Sequence, residues 1–113
     1  MKLEMPRGAF GIPRKINVKD TEIKQGDILC FIIKTAPNEE EIINKEEIVN
    51  TISEEGVVTI TPTLTKEESD KLEVGNYVWG IKHIRKDSNN VILSTALRLT
   101  DEYYSEFVVR EGI

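Results

Sequence analysis

Little in this chain invites covalent or metal chemistry. One cysteine, Cys30, stands among 113 residues, so an internal disulfide is excluded. It sits inside the apolar run ILCFII, where a buried, inert thiol is expected, because a reactive one needs an exposed electropositive niche. His83 is the single histidine, and with one cysteine it cannot complete a zinc site of the His/Cys kind. No glycine pattern of the phosphate-cradling or dinucleotide type is present, and no pair of carboxylates is spaced for acid–base work. The acidic cluster Glu39, Glu40 and Glu41 lacks the interleaved Asp, Asn and Gly of a calcium loop, and reads as a solvated, charged edge. Long apolar runs are missing too: the longest, residues 28–33, has six residues, far short of a membrane span. The opening MKLEMPRGAFGIPRK has no apolar core and does not read as a secretory signal.

Positive charge is also scarce. Fifteen Lys and Arg against twenty Asp and Glu leave a net charge of −5, and the cations are dispersed. A duplex nucleic-acid binder needs a basic face to displace counterions from phosphate, so that partner class is not expected. The residues therefore nominate no catalytic, cofactor or metal site, and the expectation is a non-enzymatic protein without a membrane or nucleic-acid partner.

What the chain has is strand signal. In YVWGIKHIR, Tyr77, Trp79 and Ile81 alternate and should share one sheet face, with Trp79, the lone tryptophan, anchoring a core. His83 falls on that same face and reads as a packed or rim histidine, not as a base. Asp87, Ser88, Asn89 and Asn90 supply turn chemistry, and VILSTALRL returns as the second strand of a hairpin. Gly80, within the strand, predicts either a bulge or a close approach. ILCFIIKT, apolar on both faces and bounded by Gly26-Asp27 and Pro37-Asn38, predicts a central strand. KINVKD and VVTIT add short strands, FVVRE is a last short strand or a tail, and Pro62 should end the VVTIT ladder. Residues 39–53 fit either a helix or a short strand EIIN followed by a charged connection; the strand is preferred. Thr65-Lys66-Glu67-Glu68 is a capping box, predicting a brief helix over 66–72 with Leu72 turned inward. Six or seven short strands and one helical turn describe an all-β, antiparallel β-sandwich over residues 15–113.

Residues 1–14 read as an N-terminal arm, because Pro6, Gly8, Gly11 and Pro13 punctuate it too often for a regular element. Met5, Phe10 and Ile12 are candidate assembly contacts, lying against the chain's own sandwich or a neighbouring subunit; a disordered tail is the alternative. The aromatics Tyr77, Trp79, Tyr103 and Tyr104 raise a second functional class, a carbohydrate- or ligand-binding module, if they stand exposed.

From Leu72 through Gly75, Tyr77 and Trp79 to Ile81 the chain resembles small immunoglobulin-like proteins of tailed phages and prophages of Gram-positive bacteria. Those proteins carry a Thr- and acid-rich helical turn, then L-x-x-G-x-Y-x-Y/W-x-I and a hairpin. The likeness runs over residues 20–100 and departs at Gly80, where Asp is commoner. It implies an immunoglobulin-like fold in which Leu72, Gly75, Tyr77, Trp79 and Ile81 are structural. It also implies a virion component of the tail or baseplate, assembled in the bacterial host cytoplasm and acting through contacts with itself and other virion proteins.

Overall fold

The structure is a computed structural model and describes residues 2–19, 21–97 and 105–112. Its eight strands and one short helix, in chain order, are β1 (Leu3–Pro6), β2 (Ile16–Lys19), β3 (Ile28–Lys34), β4 (Glu41–Ile48), β5 (Val57–Ile60), α1 (Lys66–Ser69), β6 (Gly75–Lys86), β7 (Ile92–Leu97) and β8 (Ser105–Arg110). Six of the strands form one sheet in the order β1-β8-β6-β3-β4, with β7 also paired to β6; β2 and β5 form a separate antiparallel ribbon. The chain is thus all-β, as expected.

Alternation explains how the sheet and the ribbon build one core. Leu29, Phe31 and Ile33 on β3 pair in register with His83, Ile81 and Trp79 on β6, so their side chains share the inner face. Phe107 and Val109 of β8 and Leu3 and Met5 of β1 continue that face. The ribbon contributes Ile16, Val18, Val58 and Ile60 to the same apolar cluster, together with Leu64 and Leu72. Trp79 is 3 % exposed and lies 5.6 Å from Phe31, ring centroid to centroid. Ile81 and Leu72 are fully buried, while Tyr77 is half-buried and its hydroxyl donates to Glu73 O at 2.9 Å.

Strand β3 is central, flanked by β4 and β6, and buried on both faces as its unbroken apolar run predicts. Gly80 sits opposite Ile32 in unbroken register, which rules out a bulge there. The acid-rich segment is strand, and longer than EIIN, reaching Ile48. The capping box forms: Glu68 N donates to Thr65 Oγ1 (3.1 Å) and Thr65 N to Glu68 Oε1 (2.8 Å). The α-helix itself is limited to Lys66–Ser69, and a turn bond from Leu72 N to Ser69 O closes the segment.

Two expectations change. Leu3–Pro6, assigned to an irregular arm, is a strand of the main sheet; and since β1 runs parallel to β8, the sheet is mixed and not wholly antiparallel. The physical reason is visible in the alternation. Leu3 and Met5 turn into the core, and Pro6 occupies an edge position where its missing N–H interrupts no ladder. Met5 is accordingly a core residue, 1 % exposed, and is withdrawn from the candidate assembly contacts. Tyr103, Tyr104 and the end of the return strand lie outside the described residues.

Candidate functional site

One cluster of polar groups, built on Asp27 and His83, stands inside the core. Asp27 precedes β3, and His83 and Arg85 follow Trp79 on the inward positions of β6. Gly26, at φ 92°, makes the turn that brings Asp27 back under this face. His83 Nε2 lies 2.6 Å from Asp27 Oδ2, and both side chains are almost wholly buried. Arg85 grips the same carboxylate through Nε (2.9 Å, Oδ1) and Nη2 (2.7 Å, Oδ2), and reaches Glu22 O at 2.7 Å. Lys24 N adds a bond at 2.9 Å. The Arg85 guanidinium, foremost, holds the Asp27 carboxyl far below the usual range, with the Lys24 N–H and His83 contributing against the opposing effect of burial.

This cluster is an anchor. The carboxylate accepts four hydrogen bonds and ties the 21–27 turn to β6 across 58 positions of sequence. Its saturation leaves it no role as a base toward a substrate. Elsewhere Cys30 is a free, fully buried thiol, pushed up to about 11 by burial and then by Glu46. Glu41 pairs with Lys82 at 2.8 Å and accepts from Asn44 at 2.9 Å. Among the described residues no three His, Cys, Asp or Glu side chains are grouped to hold a metal, and no helix is long and apolar enough to cross a membrane.

The surface offers more. Residues 7–15 leave the edge of β1, turn, and return beside the segment between β5 and α1. Bonds from Gly11 N to Leu64 O (2.9 Å) and Arg14 N to Pro62 O (3.1 Å) fix this path. Between the loop and β1 lies an open cleft of about 320 Å³, walled by Glu4, Met5, Pro6, Ala9, Pro13 and Leu64, with Phe10 and Ile12 at its rim. Phe10 is 50 % and Ile12 64 % exposed. Arg14 enters the cleft half-buried, donates from Nη2 to Glu4 O at 2.9 Å, and lies 5.4 Å from the centre of the Phe107 ring. Burial pushes its guanidinium down from the ordinary value, yet it remains a cation at neutral pH.

A second apolar surface stands on the β6–β7 hairpin. Asp87 closes the tip by accepting from Asn89 N and Val91 N, both at 2.9 Å, and Asn90 takes the left-handed conformation at φ 66°. Directly after it Val91, Ile92 and Leu93 are all more than half exposed. The sequence predicted the turn and overlooked this exposure, although three consecutive apolar residues after a polar tip are legible; along β7, Ile92 and Leu93 face opposite sides of the hairpin.

Tyr77, Trp79 and Ile81 do come together, but in the core. Trp79 offers no stacking platform for a sugar, because it is buried in the core against Phe31. Comparison with protein-family models, with curated proteins and with solved structures finds no match for this chain.

Proposed function

We propose that the chain is a non-enzymatic assembly module which works through protein–protein contacts, with itself and with other proteins. The observation carrying this reading is the grouping of exposed apolar side chains. Ile48 and Val74 are exposed as well, but the others fall into two groups. Phe10 and Ile12 flank the N-terminal cleft, and Val91, Ile92 and Leu93 cap the β6–β7 hairpin. Grouped apolar surface of this kind marks sites that another protein covers. Two separate patches on one small domain suit head-to-tail contacts, which close into rings or extend as filaments.

The resemblance of the segment from Leu72 to Ile81 to immunoglobulin-like phage proteins supplies the setting: a structural component of a virion tail or baseplate, with an immunoglobulin-like sandwich as the finer description of its two β layers. The test is direct. Particles induced from the cell encoding this chain are purified on a density gradient and analysed by mass spectrometry. The chain is expected in the particle fraction at a fixed ratio to other particle proteins. Its absence from particles, with the protein abundant in the supernatant, would sink the virion assignment.

A further inference from the structure

The N-terminal cleft has a charge as well as a shape. The Arg14 guanidinium has five N–H donors. Among the described residues its hydrogen-bonding partner is one neutral carbonyl, Glu4 O, and no carboxylate lies within ion-pair distance of it. The Glu4 carboxylate beside it is already matched by Lys2 at 3.2 Å and Arg110 at 3.6 Å. Residues 5–15 contain Arg7, Arg14 and Lys15 and no acidic residue, within a chain whose net charge is −5. A partly desolvated cation lacking a counter-ion, set in an apolar cleft, is complementary to an anion carrying an apolar body.

We propose that this cleft captures the chain end of a partner protein: an apolar side chain seated against Pro6, Ala9 and Leu64, with its adjoining α-carboxylate on the free N–H groups of Arg14. The open form of the cleft and the exposed Phe10 and Ile12 beyond it favour a polypeptide over a free small acid, since a chain can continue out of the cleft across both side chains. Addition of a strand to the neighbouring sheet edge is disfavoured. Pro6 offers no N–H there, and Arg14 already occupies Glu4 O. The identity of the occupant as a protein rests on the assembly reading; the carboxylate rule rests on Arg14 alone.

The experiment titrates the full-length, isotope-labelled chain with acetyl-Ala-Leu-Leu as free acid, with the same peptide as C-terminal amide, and with acetyl-leucine. The free acid is expected to shift the resonances of Phe10, Ile12, Arg14 and Leu64 saturably, and to bind about tenfold or more tighter than the amide. Arg14→Gln should abolish the preference for the acid, and Arg14→Lys should retain part of it. Equal binding of acid and amide, or shifts that map away from the cleft, would overturn the proposal. Acetyl-leucine binding as tightly as the tripeptide acid would make the occupant a free small acid, which also overturns it. Should Arg14→Gln fail to fold, the acid–amide comparison on the unaltered chain still decides. Failure of the peptide arm while particles still contain the chain would remove this carboxylate rule and leave the assembly reading standing.

Discussion

Asp27→Asn exchanges one atom and removes the negative charge from the centre of the buried cluster. Three donors converge on Oδ2: His83 Nε2, Arg85 Nη2 and Lys24 N; Arg85 Nε donates to Oδ1. An asparagine oxygen can take over the three bonds in neutral form, but its NH₂ then faces Arg85 Nε, donor against donor. Making the His83 and Lys24 bonds neutral costs about 1 kcal/mol each, and the loss of the Arg85 Nε bond adds to that, so the substitution should destabilise by about 3 kcal/mol, the lower end for damage to a buried ion pair. In a domain of this size that lowers the melting temperature by about 12 °C. The effect should depend on pH with a definite sign. The Asp27 carboxyl binds its proton less readily folded than unfolded, so acid favours the unfolded chain. Its contribution is complete above about pH 5 and is withdrawn as the pH falls below the ordinary carboxylate value of about 3.9. Thermal melts of both proteins between neutrality and pH 2.5 should therefore show a wide gap at neutrality that narrows on acidification. A gap of only a degree or two at pH 7, or one that stays constant into acid, would refute the anchor assignment.

Further perturbations test other parts of the structure. Trp79→Ala removes a buried ring beside Phe31 and should cost about 3–5 kcal/mol, read as a lowered midpoint in urea. Thr65→Ala deletes the oxygen that caps α1 and should cost about 1 kcal/mol, a smaller shift in the same assay. Cys30, buried and with its thiol raised to about 11, should react with a disulfide reagent only as fast as the protein opens, and at once in denaturant. Val91→Ser and Leu93→Ser on the hairpin should leave the melting temperature within about 2 °C while weakening self-association in sedimentation.

Much of the layer structure was legible because alternation is a local property. The run ILCFII announced a strand covered on both faces, and the spacing of Tyr77, Trp79 and Ile81 placed them together. The capping box was equally readable, since its reciprocal bonds span three positions. The identity of β1 was not. Its partner, β8, lies about a hundred positions away in the chain, and Pro6 beside Gly8 looks like a breaker until the edge position is known. Parallel pairing between chain ends leaves no turn signal to read.

The Asp27 cluster was half visible. Alternation put His83 on the core face but named no partner, because Asp27 reaches it from a turn 56 positions earlier. The usable signal was two polar residues, His83 and Arg85, on the inward side of an apolar strand: buried charge demands a partner, and Gly26-Asp27 stood ready at the start of the neighbouring strand. The cleft around Arg14 left a fainter mark, the lack of acid over residues 5–15. Phe10 and Ile12 were candidate contacts from their apolarity in a Pro- and Gly-broken segment, and both are exposed. Met5, with the same apolarity, went to the core because it falls on a strand.

Sedimentation velocity of the full-length chain over a hundredfold range of concentration, beside Phe10→Ser/Ile12→Ser, tests the assembly account most directly. Reversible association that grows with concentration, and is weakened in the double variant at unchanged melting temperature, is the predicted result. A chain that remains monomeric throughout, or a double variant that associates as the parent does, would contradict the claim that the N-terminal apolar surface is a protein contact.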